Sequence, residues 1–292
     1  MSTPPFRLGR VLLGFMPEQE ALNFLNGMCV VENQQEVEDF KEQWRRASHS
    51  VKRIGPRALP TVKQRELPSA HSAYVQQVSS QPIFKHMFGG DNSIREVEIG
   101  PLIAFQRHID TQYASELASR MGDEKFLLES CLPVQFQQNV DITYDPAVPG
   151  VTFSSFSPKL IVQGVHISGV PGPPITIGGQ PAQPGVLIQT GSQPNYVQVV
   201  EYRTRYFLRN GYHRTYAALL SGHKYVPAVV TTAESLAEVG AQQPGFFPKD
   251  VLISDTPPLI EDFLKDDLAA GVKLRQMRKV IRVRVDDFLV PR

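Results

Sequence analysis

This chain is poor in the features that usually give a chemistry away. Among its 292 residues only Cys29 and Cys131 are cysteines. Two isolated thiols supply neither a disulfide framework nor a zinc spacing, and they fit a reducing, cytoplasmic setting. Neither sign of charge is in excess: 30 Lys and Arg stand against 29 Asp and Glu, for a net +1. That is a weak electrostatic footprint for a protein that coats nucleic acid. No apolar run is long enough for a membrane-spanning helix, and MSTPPFRLGRVLLGFMPEQ is too interrupted for a signal peptide. There is no Walker loop, GxSxG elbow, HExxH or paired CxxC motif. The residues offer no metal-ligand set.

What is present is the balance of an ordinary globular chain, 41% hydrophobic and 20% charged. Residues 17–26 open with Pro and stop before Gly27, as helices do. Asn33 and Glu36 form a capping-box pattern ahead of a second helix, in which Val37, Phe40, Trp44 and Ala47 recur at helical spacing. Trp44 reads as core packing. Arg45, Arg46, Lys52 and Arg53, with His49 and Arg57, make a basic run: a solvated face, or a weak contact surface for nucleic acid or an acidic partner. Residues 55–72 read as an extended connector. A short helix at 73–78 and a Gly-rich loop at 89–92 follow. A strand at 96–99 comes next, then helices at 111–120 and 123–131.

Residues 134–195 hold β-type runs at 151–156, 160–167, 175–177 and 186–189, broken by Pro and Gly, so these strands should be short. The segment 171–185, PGPPITIGGQPAQPG, reads as a surface loop or hairpin. His166 sits in an alternating run as a surface residue. Residues 197–200 and 204–208 predict a hairpin turning at Tyr202-Arg203. Residues 233–239 and 258–269 allow two helices. Residues 279–285 alternate Val280, Ile281, Val283 and Val285 with Arg282 and Arg284. This is a basic strand, either an edge protected by charge or a basic rim near nucleic acid or phosphate.

The richest stretch is 206–230, YFLRNGYHRTYAALLSGHKYVPAVV. It predicts a strand, a tight turn at Asn210-Gly211, a helix from Tyr212, a stop at Gly222 and a buried strand at 226–230. A turn that opens a helix presents free N–H groups and the positive end of the dipole. With His213 and Arg214 beside them, those amides predict an anion site, most simply a phosphate site. The plainer reading is an ordinary turn with two solvated cations.

The positions of Asn210, Gly211, His213, Arg214, Ala217, Ala218, Gly222, Val226, Pro227 and Val229 resemble the second half of the ParB/sulfiredoxin-like superfamily. Its hallmark is a (D/N)-G-x-H-R or G-E-R-R turn, an Ala-rich helix, Gly, and a V-P-x-V strand. Residues 97–119, VEIGPLIAFQRHIDTQYASELAS, resemble its opening, with Gln106, Arg107, Asp110 and Glu116 in the corresponding places. The resemblance implies an α+β fold with a mixed-sheet core at 96–232, an N-terminal helical region and connector at 1–95, and C-terminal helices with a basic strand at 233–292. It implies phosphate or nucleotide binding by Arg107, Asn210, Gly211, Tyr212, His213, Arg214 and Thr215. A nucleoside triphosphate with Mg²⁺ would be the ligand. Glu116 or Asp110 would act as base or metal ligand, and His213 as a proton carrier. Glu116 and Asp110 read equally as a solvated helix residue and a helix N-cap.

Departures from the family narrow these expectations. Tyr212 stands where sulfiredoxins need cysteine, so that chemistry is not expected. No helix-turn-helix follows Val230, which speaks against a partition protein. The insertion at 134–195 is far longer than the family's usual connection, and suits a β-rich appendage that recognises a partner. Two readings stand. One is a nucleotide-binding enzyme or switch, performing NTP hydrolysis, phosphoryl transfer or nucleic-acid processing in a bacterial system. The other is a catalytically inactive ParB-like scaffold that binds a protein partner or another copy of itself, for example in a phage-defence complex.

Overall fold

The computed structural model describes residues 6–57, 61–89, 92–134, 140–144, 150–156, 160–168, 176–177, 180–181, 185–192, 195–240, 245–284, 286, 288, 289 and 291. The fold is α+β, and the chain divides into two units. The first holds Met1–Val134 and Asn195–Gln276, the second Gln135–Pro194 and Met277–Arg292. This differs from the expected three regions. Residues 1–95, the core and the stretch up to 276 form one body, and the basic C-terminal strand joins the insertion.

The first unit is built on a six-stranded mixed sheet. Its order is Gln64–Arg65, Asn92–Glu98, Tyr225–Thr232, Gln198–Tyr202, Arg205–Asn210, Ile103–Ala104. The hairpin Gln198–Tyr202/Arg205–Asn210 turns at Arg203, whose φ of 56° makes a tight reversal. Helix Tyr212–Leu220 then crosses over, and Tyr225–Thr232 returns parallel to Gln198–Tyr202. This third strand is a near-continuous apolar run because it is central and covered on both faces. Ile103–Ala104 pairs parallel with Arg205–Asn210 at the far edge. A second, antiparallel sheet has the order Ala270–Arg275, Phe6–Val11, His108–Asp110.

Local sequence explains most helices. Asn33 caps Gln34–Ile54 by accepting the Glu36 amide, and Glu36 reaches back to the Glu32 amide. Phe40 and Ala47 of that helix are buried, and the Trp44 indole donates to the Met16 carbonyl at 2.9 Å. Asp110 and Asp123 cap Thr111–Ala118 and Glu124–Cys131 in the same way. The connector carries the short strand Gln64–Arg65 and leads to helix Ser72–Ser80. A further helix, Pro82–Phe88, starts on its own proline. The stretch 258–269 forms only the 3-10 turn Ile260–Leu264, and 233–239 shortens to helix Leu236–Val239.

The second unit has a three-stranded sheet of order Lys279–Arg284, Gly150–Ser155, Asp141–Tyr144. It also has the antiparallel pair Leu160–Ser168/Gly185–Ser192 and the small pair Thr176–Ile177/Gln180–Pro181. Of the predicted 171–185 loop, residues 171–175, 178–179 and 182–184 lie outside the described residues, as do the His166 side chain, Val285, and Gly90 and Asp91 of the 89–92 loop.

One ion pair ties the two chain segments of the first unit together. Arg57 donates to both carboxylate oxygens of Asp262, at 2.7 and 3.1 Å, and Asp262 is fully buried. The same carboxylate accepts the Leu259 amide and the Lys265 ammonium. Asp262→Ala leaves that guanidinium without its anion and should lower unfolding stability by about 3–5 kcal/mol. A urea titration followed by circular dichroism measures this.

Candidate functional site: the turn at Asn210–Thr215

The strand ends at Asn210, whose side-chain oxygen accepts the Gly211 amide at 3.0 Å. Gly211 sits in the left-handed region at φ 94° and precedes the first residue of helix Tyr212–Leu220. A Cβ at Gly211 would lie 2.7 Å from Val197 Cγ2 and 3.1 Å from Val197 Cα. Glycine is therefore required here by φ and by the close passage of Val197, rather than by a ligand. Gly211, Tyr212, Arg214 and Thr215 are all buried. Tyr212 turns its hydroxyl inward to the Leu208 carbonyl, and burial pushes its pKa well above 10. The bend is a packed corner of the core.

Arg214 is the decisive residue. Its side chain is directed into the protein, and Nη1 donates to the carbonyls of Ser130 (2.7 Å) and Asn195. It makes no ion pair among the described residues, and Nη2 is buried without a partner. The expected grip on two phosphate oxygens is thus corrected: the guanidinium holds two backbone oxygens inside the fold. Burial pulls its pKa down from the usual arginine value. The Thr215 hydroxyl is likewise buried and unpartnered, so it faces no solvent-borne ligand.

His213, unlike Arg214, is not a cation. Its Nε2 accepts the Asp110 amide at 3.0 Å, which places the ring's proton on Nδ1. Burial, then the positive charges of Arg214 and Arg7, lower its pKa to about 4. Asp110 does what its N-cap reading implied: Oδ1 accepts the Tyr113 amide at 2.8 Å, and Oδ2 lies 3.5 Å from Arg7. The Tyr113 ring stands edge-on to His213 at 5.5 Å. Next to this group, His108 is held at a pKa of about 4 by burial and by His213. Its Nδ1 is buried without a partner beside the Phe24 ring.

The two family-like segments do meet, since helix Thr111–Ala118 packs on helix Tyr212–Leu220 and the Asp110 amide joins His213. The charges they bring are not convergent. Arg107 pairs with Glu20 at 3.0 Å and lies over the Phe247 ring, so it is already neutralised. Glu116 is exposed on its helix and forms no ion pair among the described residues. Among the described residues no three of His, Cys, Asp and Glu gather as metal ligands.

Three of the six weak nucleic-acid candidates stand beside acidic residues. Arg45 and Arg46 both bind Glu42, whose pKa they lower, and Arg53 lies 3.9 Å from Asp267. Lys52 is exposed in the last turn of its helix. Arg282 and Arg284 lie on one face of the second unit's sheet, across from Thr152 and Gly150 respectively. The residues that sequence reasoning missed are Arg7, Glu20, Ser130, Asn195 and Val197. The last three act through backbone or bulk, and no motif marks them.

Two outcomes follow from these contacts. Arg214→Met leaves the Ser130 and Asn195 carbonyls unpaired in the core and should cost about 2–4 kcal/mol of stability, read from urea midpoints. The histidines set a pH dependence. Both are neutral in the fold and take up protons below about 6.5 only when unfolded. Stability is full at neutral pH and is lost as pH falls from about 6.5 toward about 4. Replacing His108 with phenylalanine should flatten that loss, seen by denaturation at a series of pH values.

Compared with family models, with curated proteins and with solved structures, the chain matches none.

Proposed function

We propose that this chain is a ParB-like scaffold without phosphate chemistry of its own, acting as a protein-interaction subunit. The observation that carries this reading is the inward Arg214: the group that would neutralise a phosphate is bound to the Ser130 and Asn195 carbonyls. The surrounding contacts support it. His213 is neutral, Arg107 is paired, and Asp110 puts a negative charge beside the turn.

The β-rich unit supplies the contact surface. Its three-stranded sheet sorts its side chains by alternation. Ile142, Phe153 and Ile281 form one cross-strand row, and Tyr144, Val151 and Val283 form the next on the same face. The other face carries Asp141, Thr143, Thr152, Ser154, Arg282 and Arg284, with Val280 as its one large apolar side chain among the paired residues. On the apolar face Phe153 is buried, yet Ile142 and Tyr144 are 64% and 66% exposed on an edge strand. Exposed apolar side chains on an edge favour association with another chain.

The second reading is a nucleotide or phosphate ligand with Mg²⁺, and one feature favours it. No side chain caps helix Tyr212–Leu220, so its first amides are left for an anion.

Thermal melting with ATP, CTP or GTP and Mg²⁺ separates the two. The scaffold reading expects an unchanged midpoint at millimolar nucleotide. A rise would establish ligand binding to the native state and with it the second reading. For the interaction surface, cross-linking of the full chain in its native lysate should yield cross-links into 141–144, 150–155 and 279–284. The double substitution Ile142→Lys and Tyr144→Lys should remove them. Cross-links that persist in that variant would place the partner elsewhere.

A further inference from the structure

A cleft of about 620 Å³ opens in the first unit beside strand Ala270–Arg275, an edge of the three-stranded sheet. Its floor is apolar, with Leu25, Val30, Phe40 and Val272, and the Tyr216 side chain lines the cleft. The strand edge that borders it is already used once by the chain itself. Cys29 bridges to Leu274, and the Val30 amide donates to the Lys273 carbonyl at 2.8 Å. Backbone groups of a strand alternate between its two edges with period two. If Lys273 faces outward, so do the N–H and C=O of Gly271. Among the described residues neither has a partner on that side. Gly271 is exposed, and a Cβ placed there would meet nothing within 4 Å, so the sheet face above it is uncovered as well.

The charges around the cleft are uneven. Lys273 is paired with Glu32 and Glu36, and Arg10 with Asp266. Asp39 accepts only the Gln35 amide group and has no cation among the described residues. Two cations, Arg10 and Lys273, thus stand against four carboxylates, Asp266, Glu32, Glu36 and Asp39, and the surroundings of the apolar slot and the free strand edge are negative.

We infer that the first unit binds an extended peptide as an added strand on the Gly271 edge, with an apolar side chain in the Leu25–Phe40 slot and a basic residue facing Asp39. Three properties converge on that occupant. The unpaired amide and carbonyl recognise a backbone of any sequence, the slot selects alternate apolar side chains, and Asp39 selects positive charge. The added strand continues the pairing that Cys29–Val30 begins on the same edge. A small apolar molecule would fill the slot but leave the Gly271 groups and Asp39 unanswered. The site lies wholly in the first unit and does not rest on the β-rich surface proposed above.

The test selects a displayed library of random twelve-residue peptides on the full chain and then titrates a labelled selected peptide by fluorescence anisotropy. Enriched peptides should alternate β-branched residues and carry Lys or Arg. Amide exchange should slow at residues 270–273 on binding. Gly271→Pro removes the outward donor without touching the Phe6–Val11 ladder and should weaken binding at least tenfold. Asp39→Lys, at an exposed helix position that leaves folding intact, should weaken it several-fold and shift selection away from basic peptides. Failure to enrich such peptides, or affinity unchanged in Asp39→Lys, overturns the inference. So does loss of self-association in place of peptide binding, which would make the occupant a second copy. The Ile142→Lys, Tyr144→Lys variant should bind the peptide as the parent does, so a failed β-rich surface and a failed cleft are told apart.

Discussion

The first unit depends on a guanidinium placed where a guanidinium is costly. Arg214 sits in the core with no carboxylate beside it among the described residues, and its hydrogen bonds to Ser130 and Asn195 are what make that burial tolerable. Those two carbonyls are not arbitrary acceptors. The chain leaves the first unit just after Val134 and re-enters it at Asn195. One side chain thus fastens both ends of a 60-residue excursion, Gln135–Pro194, to the start of the crossover helix. The entropy of closing so long a loop grows only slowly with its length, so a single good anchor at its root can hold the junction in place. Val197, packed against Gly211, adds a steric stop at the same corner.

The electrostatics around this corner are arranged to keep charges few. Asp110 caps one helix while standing beside Arg7, and its amide fixes the neighbouring histidine through Nε2. Both His213 and His108 are kept neutral chiefly by burial, and His213 also by the positive charges of Arg214 and Arg7. Arg107 has its own anion in Glu20. A cluster that resembles a binding site in one dimension becomes, in three, a set of closed internal contacts.

Which parts were legible follows from the range of the cause. Helix starts were readable because Asn33, Asp110 and Asp123 act on amides two or three residues away. The strand–turn–helix–strand order at 206–230 was readable because Asn210-Gly211 and Gly222 act locally. The direction of the Arg214 side chain was not, since its partners are carbonyls from residues 84 and 19 positions away and carbonyls leave no trace in residue type. The basic strand at 279–284 was recognisable by alternation, but its partner, Gly150–Ser155, could not be named from pattern. The Leu259–Leu264 stretch shows a limit of another kind: residues 258–269 allowed a helix, and the buried Asp262 carboxylate instead binds the Leu259 amide and Arg57, which tightens the segment into a single turn.

The pairing of Lys279–Arg284 with Gly150–Ser155 has a consequence for biosynthesis. A ribosome adds roughly 5–20 residues per second, so Gly150–Ser155 waits on the order of ten seconds before its neighbour is made. Through that interval a β-prone segment stands with one side unzipped in a crowded cell. The nascent polypeptide has reason to be shielded, as by a chaperone, until translation has passed Arg284.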